Sequence, residues 1–232
     1  MLILGLDMHI FLLKIKWLPL NSLMKSTLIE KVYLTVAVIF LWFAICLQFN
    51  LSLQTLDNDV LATLKIILSF FTVLSNILCA IVLTSILLFK NSSIGRFSAS
   101  SSTKAAVTVY IVIVGIIYNL ALRGLEIPTG WNSVANELLH VVNPLVVLAY
   151  WIFFSNKSNL EYKSAFIWLI YPILYVIMIA VRGMIINKYP YPFINVVELG
   201  YPKALLNAFI ILIVFYFVSI LFIFVGKKLS KA

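Results

Sequence analysis

Charged side chains are scarce in this sequence. Only 11% of its 232 residues are Asp, Glu, Lys or Arg, whereas 63% are hydrophobic. A soluble globular domain carries about 25% charged residues, so this composition excludes an ordinary water-soluble protein. The mean hydropathy of +1.11 leads to the same conclusion.

Cysteine is also rare, and several common site motifs are missing. The two cysteines, Cys46 and Cys79, both lie in apolar stretches, which gives neither a disulfide framework nor the paired spacing of a metal site. Neither an HExxH nor a GxSxG motif occurs, and one histidine within the apolar stretches cannot supply bis-histidine haem ligation. The sequence therefore predicts no metal and no organic cofactor.

What the sequence does contain is six long apolar runs. A helix needs about 20 apolar residues to cross a bilayer, and strict alternation typical of barrel strands is absent. We therefore predict an all-α integral membrane protein, a six-transmembrane-helix bundle forming one domain over residues 29–232. The predicted spans cover residues 32–49, 66–89, 105–122, 135–154, 164–181 and 204–225.

The positions of the positive charges predict the orientation of this bundle. Of the 17 Lys and Arg residues, 12 precede span one, follow span six or join spans two to three and four to five. The other five lie in the alternate connections. The positive-inside rule then places both termini in the cytoplasm, as an even number of spans requires, and it explains the net charge of +9 without a nucleic-acid partner. The expected location is a cell membrane, most simply a bacterial plasma membrane.

The first 28 residues do not fit the pattern of a span. Their apolar stretch is interrupted by Asp7, Lys14 and Lys16. An interfacial helix suits such a segment better than a membrane crossing. Met24 is equally suited to be the natural start, in which case the preceding residues are not native.

Two polar residues in the spans attract attention because ionisable and polar groups are costly at membrane depth. His140 is the only histidine in the apolar runs, and Thr72 lies in predicted span two. At about 1.5 Å of rise per residue, Thr72 lies roughly 9 Å and His140 roughly 8 Å from the outer ends of their predicted spans. We expect the two side chains at similar depth in the outer half of the bundle.

Other polar residues lie at a similar depth in their spans. Polar side chains in hydrocarbon need hydrogen-bond partners, so these residues should face the bundle interior together. They are Asn76, Asn119, Arg123, Asn136, Glu137, Asn143 and Arg182. Each also has a purely structural interpretation. A threonine hydroxyl often bonds its own helix, a neutral histidine or an asparagine can join two helices, and an arginine can reach the headgroups.

As a site, this set suits ester chemistry on an amphiphilic lipid. His140 could serve as the base that activates the Thr72 hydroxyl, oriented by Asn136, Glu137 or Asn143. Asn76, Asn119 or an arginine could stabilise an oxyanion, and Arg123 and Arg182 could hold an anionic headgroup. The acyl chain would lie among the helices. Under this hypothesis the binding partner is a membrane lipid or acyl ester.

The polar residues are also compatible with a different class of function. Arg123, Arg182 and Glu198 could instead line a path for a small polar or anionic solute, with His140 as a proton-linked group. Few polar residues continue such a path into the inner halves of the spans, and matched broken helices are missing. A purely structural subunit is a third possibility.

Three segments resemble a known family of membrane proteins. They are 70-FFTVLSN-76, 137-ELLHVVNP-144 and the Tyr- and Pro-rich stretch 185–203 before the last span. In this order and spacing they resemble the androgen-induced and androgen-dependent membrane proteins, and the chain looks closest to a bacterial six-span branch. The resemblance implies six spans and hydrolysis of fatty acid esters of hydroxy fatty acids. It also implies that Thr72 and His140 are the catalytic threonine and histidine.

Overall fold

The structure, a computed structural model, describes the backbone of residues 23–231 and the side chains of residues 28–230. An interfacial helix was predicted in the N-terminal segment. Residues 1–22 of that segment lie outside the described residues. Short helices at Val60–Ile67 and Ser93–Ser98 and a 3-10 turn at Pro192–Ile194 lie between the long helices.

Six helices are long and apolar enough to cross a membrane, and no strand element occurs between residues 23 and 231, which confirms the predicted all-α six-span bundle. We number them span 1 to span 6. They are Leu28–Thr55, Phe71–Leu88, Ser101–Leu122, Gly130–Phe154, Ser164–Ile186 and Val196–Ser230. The helix of span 1 begins at Leu23, and that of span 6 ends at Lys231.

Spans 2 and 3 form the centre of the bundle. They are 56% and 61% buried, whereas spans 1 and 6 are 28% and 22% buried. One apolar cluster packs spans 1 and 4 against them, and a second packs spans 5 and 6 against them. The exposed faces of the outer spans are rich in large apolar side chains, as a helix surrounded by lipid requires.

The connections divide the bundle into two ends. We call the end with the connections 56–70, 123–129 and 187–195 the proline-rich end, because Pro128, Pro190 and Pro192 lie there. The other, basic end carries the connections 89–100 and 155–163 and the C-terminus. At the basic end the Tyr150 hydroxyl of span 4 bonds the Glu30 carboxylate of span 1 at 3.1 Å.

Span 2 starts later than its hydropathy predicts. The apolar run from residue 66 was predicted to be one helix, but the helix Val60–Ile67 ends first and Phe70 is extended, with φ −92° and ψ 125°. The hydroxyl of Tyr175 in span 5 donates to the Ser69 carbonyl at 2.9 Å and so satisfies a backbone group at the break. The predicted start of span two was therefore wrong.

This break changes the position of Thr72. It is the second residue of span 2 rather than a residue about six positions inside a continuous helix. The first backbone N–H groups of any helix have no partner within the helix, and the helix dipole is positive there. Thr72 therefore lies at a backbone terminus rich in hydrogen-bond donors.

Two π-helical turns interrupt the regular helices near the proline-rich end. Span 3 ends in one at Tyr118–Leu122, and span 4 contains the other at Leu138–Val142. In the second turn the Asn143 N–H bonds the Leu138 carbonyl, so the Leu139 carbonyl loses its usual partner within the helix. Pro144 follows directly and has no N–H to offer, which explains why the helix departs from α geometry here.

Candidate functional site

A cavity of about 640 Å³ opens at the proline-rich end among spans 1 to 4 and the three connections of that end. We call it the vestibule. Its polar lining consists of Gln48, Ser52, Thr72, Glu126, Thr129, Asn132, Asn136, His140 and Tyr191, with the Tyr118 ring beside them. Thr72 and His140, which come from different spans, thus line the same cavity.

His140 is held by its own helix and by an aromatic neighbour. Its Nδ1 lies 2.9 Å from the Asn136 carbonyl oxygen. A carbonyl can only accept, so this bond requires the proton on Nδ1 and leaves the lone pair on Nε2 in the neutral imidazole. The ring also stacks on Tyr118 of span 3, with 4.0 Å between the centroids. The bond to Asn136 thereby selects the tautomer in which Nε2 can accept a proton.

Glu137 does not orient His140. Its carboxylate pairs with Arg123 at 2.8 Å, and both side chains are 43% exposed. The Arg123 guanidinium in turn lies 5.0 Å from the centroid of the Tyr118 ring. The side-chain amide of Asn136 donates to the Tyr118 hydroxyl. Of the three orienting residues expected from the sequence, only Asn136 forms a hydrogen bond with His140, and it does so through its backbone carbonyl.

Thr72 is buried, and its polar atoms face Tyr191 of the connection 187–195. The Thr72 N–H donates to the Tyr191 hydroxyl oxygen at 3.3 Å, and the two hydroxyl oxygens lie 3.4 Å apart. Within residues 28–230, no hydrogen bond joins Thr72 to His140. A water or a substrate must therefore lie between them for a proton to pass.

Asn76 joins the backbones that carry Thr72 and His140. Its Nδ2 donates to the Thr72 carbonyl at 2.9 Å and to the Leu139 carbonyl, which the π turn released, at 3.2 Å. Asn143 donates to the Asn76 Oδ1 at 2.8 Å, and both asparagines are fully buried. Both amide protons of Asn76 are used, so its arrangement suits a positioning role rather than an oxyanion donor.

Like the Arg123–Glu137 pair, two further expected site residues, Asn119 and Arg182, do not line the vestibule. The Asn119 amide donates to the Gly115 carbonyl at 2.7 Å and accepts from the Arg123 Nε at 2.9 Å, in a groove between spans 3 and 4. Arg182 donates to the Lys188 carbonyl at 3.0 Å. Asn119 faces that groove instead of the vestibule, and no residue of span 5 is among the lining residues of the vestibule.

A narrow apolar cleft of about 60 Å³ adjoins the vestibule. It lies among spans 2, 3, 5 and 6. Apart from Thr72 and Tyr191, its walls are Phe71, Val114, Ile117, Tyr118, Leu122, Pro172, Tyr175, Val176, Phe193, Ile194, Ala208, Ile211, Leu212 and Phe215. Four residues line both spaces and so form the wall between them. They are Thr72, Tyr118, Leu122 and Tyr191.

Tyr118 and Tyr191 were not among the site residues expected from the sequence. Tyrosine near the end of a span is typical of an aromatic belt at the headgroups, so Tyr118 carried no distinct signal. Tyr191 did stand in the Tyr- and Pro-rich stretch 185–203, whose composition suits either a structured cap on the bundle or an aromatic belt at the headgroups. That composition was the available signal.

Comparisons of the chain with protein-family profiles, with curated proteins and with solved structures found no match. The resemblance to the androgen-induced and androgen-dependent membrane proteins thus stays a prediction from the residues that carry it.

Proposed function

We propose that this protein is an intramembrane lipid ester hydrolase, with Thr72 as nucleophile and His140 as general base. One observation carries the proposal. Thr72 lies in the wall between a polar vestibule that also contains His140 and a cleft lined by apolar side chains. An amphiphilic ester with its polar part in the vestibule and its acyl chain in the cleft brings its carbonyl to Thr72.

The reaction is a two-step acyl transfer. The Thr72 Oγ1 attacks the ester carbonyl while its proton passes to the His140 Nε2 through one vestibule water. The leaving alcohol takes that proton from His140. A second water, activated by the same imidazole, then hydrolyses the acyl-threonine. The vestibule supplies this water, because it is open at the proline-rich end and is lined by polar side chains of the connections as well as by His140.

The same proposal includes an orientation. The distribution of Lys and Arg favours cytoplasmic termini, and the vestibule then opens towards the outer leaflet of a plasma membrane, in the manner expected for a bacterial member of the family that the sequence resembles.

A fluorophosphonate probe tests the proposal, because it phosphonylates an activated hydroxyl with loss of fluoride. We expect mass spectrometry of the labelled, purified protein to find the adduct on Thr72. Thr72→Ala should abolish labelling, and His140→Gln should slow it about 10²-fold or more, as loss of a general base does. The control is Thr108→Ala, since Thr108 is equally buried but bonds the Lys104 carbonyl of its own helix. Undiminished labelling of Thr72→Ala would refute the nucleophile.

Solute transport is less well supported, because a transporter needs a path through the bundle. The deepest residues that line the vestibule are Val73 in span 2 and His140 in span 4. The next polar layer consists of Asn76 and Asn143, which are fully buried and bonded to each other. Uptake of small anions into proteoliposomes that contain the protein would reverse this preference.

A further inference from the structure

The donors expected to stabilise an oxyanion at Thr72 are not free for that purpose. Both amide protons of Asn76 are bound to carbonyls, and Asn119 lies outside the vestibule. Arg123 is paired with Glu137. Acyl transfer through Thr72 nevertheless needs a preorganised donor at the carbonyl oxygen, since loss of one such donor typically costs about 10²–10³ in kcat.

Among the side chains of residues 28–230, the Tyr191 hydroxyl is the one that lies within hydrogen-bond distance of the reacting atom. It lies 3.4 Å from the Thr72 Oγ1 and 3.3 Å from the Thr72 backbone nitrogen. In a tetrahedral intermediate the former carbonyl oxygen is only two bonds from the Thr72 Oγ1. A phenol that contacts Oγ1 is therefore also within reach of that oxygen.

The position of this hydroxyl is preorganised. Pro190 and Pro192 restrict the backbone on both sides of Tyr191, and its ring stacks on Phe193 with 5.2 Å between centroids and 6° between planes. The Phe70 ring packs nearly perpendicular to the Tyr191 ring, with 5.8 Å between the centroids. The connection is tied to span 6, because the Asn207 amide donates to the Phe193 carbonyl at 2.8 Å.

The protonation state of Tyr191 fits a donor. Burial raises the pKa of its hydroxyl above the ordinary tyrosine value, so the group keeps its proton at neutral pH. It can therefore donate to an oxyanion but cannot replace His140 as the base.

We infer that Tyr191 is a catalytic residue, whose hydroxyl donates a hydrogen bond to the oxyanion that forms when Thr72 attacks an acyl ester. This inference rests on the proposed hydrolase function. As the Oγ1–carbon bond forms, the carbonyl π electrons move to the oxygen, which accepts from Tyr191, and the threonine proton goes to His140. Collapse restores the carbonyl, breaks the ester C–O bond and expels the alcohol, which takes the proton from His140.

The test compares Tyr191→Phe with the wild type on p-nitrophenyl butyrate and decanoate. Phenylalanine keeps the ring and its stacking and removes only the hydroxyl. We expect kcat to fall about 10²-fold, with KM within twofold, as for loss of one oxyanion donor. The unfolding midpoint in detergent should be unchanged. Tyr201→Phe is the matched control, because Tyr201 is an exposed tyrosine of the same stretch, and it should behave as the wild type.

The outcomes separate this inference from the function on which it rests. If Tyr191→Phe keeps the wild-type kcat while Thr72→Ala is inactive, the hydrolase stands and the role of Tyr191 falls. The role also falls if Tyr191→Phe raises KM alone or lowers the unfolding midpoint along with kcat. If the wild type neither turns over esters nor reacts with a fluorophosphonate at Thr72, the proposed function fails, and this inference fails with it.

Discussion

The imidazole ring of His140 lies against the phenol ring of Tyr118, with 4.0 Å between the centroids and 21° between the planes. Each ring belongs to a π-helical turn, one in span 3 and one in span 4. Asn136 touches both, through its carbonyl to the histidine and through its amide to the tyrosine hydroxyl. A backbone carbonyl and an aromatic ring thus take the orienting role that a carboxylate often has.

Replacing Tyr118 should affect activity more than replacing Glu137. Tyr118→Leu removes the ring that positions His140, and we expect fluorophosphonate labelling of Thr72 to slow about tenfold or more, since misplacement by 1 Å can cost about 10²-fold. Glu137→Gln breaks an exposed ion pair, which is worth about 0–1 kcal/mol, so labelling should stay within about threefold. Equal losses in the two variants would show that the carboxylate matters as much as the stacked ring. Tyr118→Phe, which keeps the ring, should lie between them.

The buried asparagine pair should contribute unequally to stability. Asn76→Ala leaves the Leu139 carbonyl and Asn143 without partners, whereas Asn143→Ala removes only one bond to Asn76. We expect Asn76→Ala to lower the free energy of unfolding by about 1–3 kcal/mol and Asn143→Ala by less. Denaturant unfolding in detergent, followed by tryptophan fluorescence, measures both. A larger loss for Asn143→Ala would contradict the assigned bonding pattern.

Gly115 lets spans 3 and 4 approach each other beside His140. A Cβ atom at this position would lie 3.2 Å from the His140 carbonyl oxygen and 3.3 Å from the Pro144 Cβ. Neither neighbour is a flexible side-chain end, so Gly115→Ala should cost about 1–3 kcal/mol as overpacking does and should slow labelling of Thr72. Ile116→Ala, at an exposed position one residue further along, is the control. An unfolding midpoint as high as that of the wild type would show that span 4 shifts to accommodate the Cβ atom without loss of stability.

Lys157, in the connection 155–163, should make the free energy of unfolding depend on pH in the alkaline range. Burial, with a smaller contribution from the charge of Lys104, lowers the pKa of Lys157 to about 8. In the unfolded chain it returns to about 10.4. Between these values the unfolded chain binds a proton that the folded protein has released, so the free energy of unfolding rises with pH over about pH 8 to 10. The neutral amine can still donate to the Ile152 and Ser155 carbonyls.

Unfolding midpoints of the wild type and Lys157→Met over pH 7.5–10.5 measure this contribution. We expect the difference between the two proteins to grow in favour of the wild type as the pH rises. A difference that is constant over this range would mean that Lys157 titrates as an ordinary exposed lysine.

The spans themselves were predictable, because hydropathy records the length of each apolar run. Residues 105–122 and 135–154 recur within the observed spans 3 and 4. The break before Phe71 was not predictable in this way. Residues on both sides of it are apolar, and the Tyr175 contact at the Ser69 carbonyl comes from span 5, more than 100 residues away in the sequence.

The candidate site was predictable in part for the same reason. Polar residues in apolar runs stand out, so Thr72, His140, Asn76 and Asn143 could be named from the sequence. Which partner each one meets depends on helix rotation. In the structure Glu137 pairs with Arg123, and Asn119 lines the groove between spans 3 and 4. Tyrosines near span ends, in contrast, look alike in sequence whether they bind headgroups or, like Tyr191, contact Thr72.

The π turn at Leu138–Val142 adds one residue to a helix without adding a loop. In an α-helix one residue corresponds to about 100° of rotation, so the turn acts as a phase shift between the two halves of span 4. It sets the angular offset between His140 and the packing residues that follow, such as Val147 and Tyr150. Deleting a single residue here would leave the composition and hydropathy of the span almost unchanged and would still rotate the imidazole away from Thr72.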